Sequence, residues 1–471
     1  MKLTDVIQLA KEYMALGVIV ALVVVCILIT GYSVIYKKLL KGQKSISQKT
    51  ALAAGILIFY YVIVLGATVL SRRAVYHHAT VLHFFATYWE AWNEWSLVDW
   101  RNLILNILMF VPIGFCFPFL SKNFQKVLYT YLAGFILTLF IETLQFLTGR
   151  GVFETDDLFN NFMGTAIGYG LYQIVCSVLN IIKRKSLEWK NIILYQLPLV
   201  SIIILFFCIF WTYDNQPYGN IKESYAFTLN MKDTKIISNL EYNKERKQKK
   251  IYQIDFLTKE ETYQLAQNFF QWVGSTVDDS RIQTYQDAVV YWTREGQKRL
   301  EVQYKGGMIK YTNYEIVEDY SITSMDITYQ IVKDDIETFG LYIPEDGLLR
   351  QESDGWYSMD VTNKLDGKKM YGGNIRCRYT STGSLIELQY QILASTEIQE
   401  IEVISQEEAF SYIQQGKFVN PCMEKIHNLQ ILSIQEQSIL DTKEFFQPVY
   451  QFIVKCNDRL ENTIIIPAMV K

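Results

Sequence analysis

The sequence predicts a polytopic α-helical membrane bundle followed by an α+β extracytoplasmic domain. Two observations carry this reading. The chain has 471 residues, half of them hydrophobic and 20% charged, which excludes a disordered chain and a basic nucleic-acid binder. The two halves also differ in charge. Residues 1–212 hold 17 basic and 10 acidic residues, whereas 213–471 hold 28 and 38. An apolar, basic half thus precedes a polar, acidic one. The expected boundary lies at 212/213.

A spanning helix needs ~20 mostly apolar residues, and six stretches qualify. They are Leu16 to Tyr36, Ala51 to Leu70, Asn102 to Leu120, Val127 to Leu147, Leu158 to Ile182 and Asn191 to Trp211. The first is too long for the apolar region of a cleavable signal and is followed by lysines, as in a stop-transfer segment. Basic residues gather in alternate loops: Lys37, Lys38, Lys41, Lys44 and Lys49; Lys122 and Lys126; Lys183, Arg184, Lys185 and Lys190. The positive-inside rule makes these loops cytoplasmic, so the N-terminus, loops 71–100 and 148–157 and the C-terminal domain are expected outside. Arg72 and Arg73 are a local exception. Loop 71–100 carries Trp89, Trp92, Trp95 and Trp100. The first three recur every third residue, which predicts an interfacial helix with the indoles along one face.

Polar residues inside apolar helices are costly and invite a functional reading. Glu142 and Gln145 share a face near the outer end of the fourth span. Arg150, Glu154, Asp156 and Asp157 follow. Asp157, Asn161, Gly164 and Gly168 are spaced 4, 3 and 4, one stripe of a helix, and the two glycines form a GxxxG that admits a close neighbour. Asn106, with Pro112 and Gly114 beyond it, lies on the third span. These groups predict a polar pocket toward the outer leaflet, with Arg150 pairing Glu142 or Asp157. The expected binding residues are Asn106, Glu142, Gln145, Arg150, Asp157 and Asn161. Pro112, Gly114, Gly164 and Gly168 are expected to set helix packing. A purely structural polar network accounts for the same residues equally well.

LILNILMFVPIGF (103–115) and IETLQFLTGRGVFETDDLFNNFMGTAIGYG (141–170) resemble the VanZ-like family of bacterial membrane proteins. The shared pattern is N-x-L-x-F-x-P-x-G, then E-x-x-Q, an Arg, and D-x-x-x-N leading into G-x-x-x-G. The resemblance covers about residues 50–182. Glu154 stands where the family has Asp, and ATVLHFFATYWEAW (79–92) lacks the family's Asn-Leu-x-Pro-Phe. The family's link to teicoplanin resistance implies a bacterial cell-envelope setting and a lipid-linked cell-wall precursor or glycopeptide as partner.

Residues 213–471 read as alternating helices and hairpins. Thr258-x-x-Glu261 and Ser405-x-x-Glu408 are capping boxes, and Gly306-Gly307 and Thr382-Gly383 mark hairpins. A further helix spans about Tyr329 to Phe339. Two similar helix-plus-hairpin units are expected at 220–320 and 325–415, with a β tail to 471. YQILASTEIQEIEVISQEEAFSYIQQGKF (390–418) resembles YycI-type and PepSY-like extracytoplasmic modules of Gram-positive bacteria, which implies a protein partner in the envelope. Cys377, Cys422 and Cys456 permit at most one bridge and a free thiol. Free, buried cysteines are the first expectation, because the domain can bury a core without staples.

No P-loop, HExxH, dinucleotide or GxSxG motif is present. His77, His78 and His83 read as interfacial rather than metal-binding. No cofactor, metal or nucleic acid is expected. The favoured function is binding of an amphipathic or lipid-linked envelope molecule. A membrane enzyme with Glu142 as acid or base, and a sensor working through the outer domain, are the alternatives.

Overall fold

The structure is a computed structural model. It describes residues 47–76, 78–183, 189–316, 327–352, 355–380, 383–422, 424–457 and 459–470, with scattered positions before 47. The chain divides into two compact units, Met1–Lys222 and Glu223–Lys471.

The first unit is helical. It comprises α1 (Gln48–Leu65), α2 (Ala86–Glu94), α3 (Leu97–Cys116), α4 (Val127–Thr148), α5 (Thr155–Ile182) and α6 (Trp189–Asn215). A wide turn, Gly66–Leu70, continues α1. Among the described residues, five helices are long and apolar enough to cross a membrane: Thr50–Leu70, Leu97–Phe119, Val127–Thr148, Thr155–Ile182 and Ile192–Asn215. Six spans were expected. The first, Leu16 to Tyr36, falls largely outside the described residues, as do His77 and the basic positions 184 and 185.

Helices α3 and α5 pack backbone to backbone. A Cβ at Gly164 would strike the Ile107 carbonyl, one at Gly168 the Val111 carbonyl, and one at Gly114 the Thr165 carbonyl. Small residues let two helices approach when no hydrophobic effect drives them together. Phe110, Ile113 and Ile141 fill the centre of the bundle with Val64 and Val69. Outward-facing Leu128, Leu132, Ile136, Ile203 and Phe207 are exposed, as lipid contact requires.

The tryptophans depart from the expected single face. Helix α2 ends at Glu94, and Trp95 follows in the left-handed region at φ 44°. Its ring stacks on Tyr213 of α6 at 3.4 Å. Trp100 is buried on α3 against Phe206 and Phe210. Of the four, Trp89 is the exposed one. The indoles therefore dock α2 and α3 onto α6, because a nine-residue helix cannot carry a three-ring stripe and its cap together.

The second unit holds one 13-stranded sheet. Its strands are β3 (Lys235–Ser238) and β4 (Lys247–Ile254), then three helix-led groups. α7 (Lys259–Trp272) precedes β5 (Gln283–Thr284), β6 (Ala288–Trp292), β7 (Lys298–Gln303) and β8 (Ile309–Asn313). α8 (Tyr329–Thr338) precedes β9 (Arg350–Gln351), β10 (Trp356–Asp366), β11 (Lys369–Tyr379) and β12 (Leu385–Val403). α9 (Gln406–Gln414) precedes β13 (Asn428–Leu440), β14 (Phe445–Cys456) and β15 (Glu461–Pro467). Both capping boxes form, at Thr258 and at Ser405. The segment read as a β tail is thus a third helix-led group. The helix assigned to the end of the second unit opens it instead, since α9 packs Ala409 and Ile413 against Phe452 and Val454 of β14.

Strand β12 joins the groups. Its first half pairs with β8 and β11 and its second half with β4. Cys422 and Cys456 form a disulfide, and Cys377 is a buried free thiol. This corrects the expectation of free cysteines throughout: the segment after α9 returns across the end of β14 and brings the two sulfurs together.

Candidate functional site

The loops at one end of the helical unit are tied into a platform. β1 (Thr80–Val81) pairs in parallel with β2 (Phe153–Glu154), and the Tyr76 amide donates to the Gly149 carbonyl at 3.1 Å. Helix α4 stops at Gly149, whose φ of 62° is the left-handed conformation glycine accepts readily. The chain then turns at once into α5.

Asp156, in the first turn of α5, is 1% exposed. Its carboxylate accepts from the Phe85 amide at 2.6 Å, the Thr87 amide at 2.9 Å and the Thr87 hydroxyl at 2.6 Å. Phe85 supplies no cap of its own, so Asp156 satisfies the start of α2 from a distant helix. One turn along, Tyr88 donates to Asn160 at 2.6 Å. These contacts fix α2 over the end of the bundle.

Beneath α2 lies a cavity of about 630 Å³ between α1 and α3. One part of its wall is apolar: Tyr60, Ile63, Leu105, Leu108 and Met109. The other is polar: Arg72, Glu90, Asp99, Asn106, Glu154 and Asp157. Asn106 donates to Asp157 at 2.5 Å. Burial pushes the Glu154 carboxyl up to about 7, helped by the negative charges of Asp157, Asp156 and Glu90; Arg72 opposes this. Glu90 is raised by partial desolvation and by Glu94 and Asp99.

Of the six expected binding residues, Asn106 and Asp157 line the cavity, and Glu154, also noted in the sequence, lines it with them. Glu142, Gln145 and Asn161 lie buried behind it. Glu142 is 1% exposed, and its Oε2 accepts from the Glu154 amide at 3.4 Å. Gln145 donates to the Thr68 carbonyl at 3.0 Å, and Asn161 donates to the Thr138 hydroxyl at 2.9 Å. Gln145 Oε1 and Asn161 Oδ1 are buried without a partner among the described residues. Pro112 sits inside α3, and Gly114, Gly164 and Gly168 sit at the α3–α5 contact described above.

Arg150 is placed differently from the expectation. Its guanidinium donates to the carbonyls of Val69 and Leu70 at 3.5 and 3.3 Å, at the end of the turn that continues α1. Among the described residues it forms no ion pair. The cation facing the carboxylates is Arg72, whose charge acts on Glu142, Glu154 and Asp157. The sequence signal for it was the break that Arg72 makes in an otherwise acidic or mixed outer loop. Asp99 and Glu90 carried no signal, since both sit in surface-like patterns. Among the described residues no group of three or more His, Cys, Asp or Glu is disposed to hold a metal ion.

Residues 51–176 match the family model described as VanZ/LLP1, so the helical unit contains a VanZ-like domain. Among solved structures the chain is similar to the Bacillus megaterium YpeB C-terminal domain, at 11% identity and a TM-score of 0.21, covering 46% of this chain and 95% of that one. No curated protein matches the chain.

Proposed function

We propose that the VanZ-like bundle binds an amphipathic molecule of the bacterial envelope in the cavity between α1 and α3. The single observation that carries this reading is the division of that cavity into an apolar wall and a polar end. Its volume lies within the ~300–1,000 Å³ usual for small-molecule sites. An acyl or prenyl chain fits against Tyr60, Leu105, Leu108 and Met109, and a head group meets Arg72, Asn106, Glu154 and Asp157.

The polar end sits at the ends of α1 and α4 and the starts of α3 and α5. Lys122 and Lys126 lie in a loop at the opposite end, which by the positive-inside rule orients the cavity toward the outer leaflet and the 223–471 unit outside. The Cys422–Cys456 bridge suits an oxidising compartment. Glu142 does not line the cavity, so a binding role is favoured over acid–base catalysis there.

The test is lipid retention. Native mass spectrometry of the full chain released from neutral detergent should show a bound amphiphile, lost when Leu108→Trp or Met109→Trp fills the apolar wall. Equal loading of wild type and both filled variants refutes the reading. In cells, a deletion strain complemented by the filled variant should keep the altered sensitivity to teicoplanin and other cell-wall antibiotics that wild type reverses.

A further inference from the structure

We infer that the head group this cavity accepts is cationic: an aliphatic chain ending in an ammonium group, not the pyrophosphate of a lipid-linked precursor. The inference rests on the cavity reading above and narrows it by charge.

Four carboxylates, Glu90, Asp99, Glu154 and Asp157, line the polar end against one guanidinium, Arg72. Arg72 is the basic residue of the lining, although the charge of Lys222 also reaches Glu90. Arg150 donates to the Val69 and Leu70 carbonyls, and Lys222 pairs with Glu94 at 2.7 Å. Asp156 is held by Phe85 and Thr87 and does not line the cavity, but its carboxylate keeps its charge and adds to the negative field on Glu154. Asn106 is a neutral donor, but its amide is directed at Asp157.

An anionic head placed here meets one lining cation and several like charges, in a partly desolvated site where Coulomb forces are strong. Phosphate-binding sites are instead built from arginine forks or clustered backbone amides. A divalent cation could bridge phosphate to carboxylates, yet the carboxylates are not disposed as a metal site among the described residues. An ammonium group reverses every sign. It gains from each carboxylate, and it donates hydrogen bonds that carboxylates accept. The apolar wall beside it takes the chain in either case. Charge is therefore the element of the site that discriminates between head groups.

The experiment uses the full chain in neutral maltoside detergent at pH 8 and low salt. Three twelve-carbon probes are compared by calorimetry: dodecyltrimethylammonium, dodecyl phosphate and dodecanol. The ammonium probe is expected to bind at least ~tenfold more tightly than the phosphate, ~1.4 kcal/mol in binding free energy, with the alcohol between them. Raising salt should narrow the gap. Asp99→Asn combined with Glu154→Gln should narrow it further, and Met109→Trp should weaken all three. Equal binding of ammonium and phosphate, or tighter binding of phosphate, overturns the charge inference and leaves the cavity reading standing. Binding of none of the probes overturns both.

Discussion

Asp156→Ala removes the side chain that closes α2 onto the bundle. Three hydrogen bonds to a buried carboxylate disappear, two of them from backbone amides. Bonds to a charged group contribute about 1.5–3 kcal/mol each before relaxation. Water entering the vacated space recovers part of this, leaving a net loss of about 3 kcal/mol. The loss falls on a strained start: Phe85 holds φ 64°, a conformation costing an ordinary residue roughly 1–2 kcal/mol. Helix α2 has nine residues and cannot persist alone. Local opening is therefore the expected response. Hydrogen exchange in neutral micelles should quicken about 100-fold at the amides of residues 85–94, since ~1.4 kcal/mol is tenfold. Exchange in the centre of α5 should change little. Thr87 and Glu90 ride on α2, so amphiphile binding should weaken too. Exchange at 85–94 within about threefold of wild type would show that aromatic docking, not Asp156, holds the helix.

Glu154→Gln tests the raised carboxyl. A group whose folded pKa exceeds its unfolded value stabilises the fold below the unfolded value and loses that contribution as pH rises through the folded one. With Glu154 raised from 4.5 to about 7, wild type should lose about 2–3 kcal/mol relative to the glutamine variant between pH 4 and pH 8. Parallel denaturation curves across that range would refute the raised value. Cys422→Ser opens a bridge with a sequence separation of 34. Loop-closure entropy predicts a loss of about 3–4 kcal/mol, seen as a lower melting temperature of the second unit; non-reducing electrophoresis with and without reductant checks the bridge.

The helix-packing residues were legible because their signal is local. Gly164 and Gly168 share a stripe by spacing alone, and a stripe of small residues leads directly to close backbone contact. The capping boxes at Thr258 and Ser405 were legible for the same reason, each lying within four residues. Pairing across the chain was not. Arg150 is nearer in sequence to Glu142 and Asp157 than Arg72 is, so proximity selected the wrong cation. What decides is the wide turn Gly66–Leu70, which presents the Val69 and Leu70 carbonyls to Arg150 and leaves Arg72 lining the cavity. The three-residue rhythm of Trp89, Trp92 and Trp95 misled because periodicity assumes the helix continues, and this one ends at Glu94. The cysteine pair was equally hidden: nothing local to Cys422 shows that its loop crosses β14.

The polar residues of the bundle divide into those that bridge elements and those that line the cavity. Asp156 has its carboxylate oxygens bonded, and Asn160 Oδ1 accepts from Tyr88 although its Nδ2 finds no partner among the described residues. These groups organise the fold, and the bonds they make lower the cost of burying them. The cavity lining breaks that rule, with carboxylates crowded against one another and one arginine. Burial first, and then this crowding, lifts the Glu154 carboxyl. Local rules are expected to fail where function needs them to. A cationic head group would supply the missing charge. If so, Arg72→Ala should strengthen ammonium binding while weakening the resting fold, a pairing of effects that a merely structural arginine would not produce. Loss of both together in binding and unfolding measurements would return Arg72, and the cavity with it, to the scaffold.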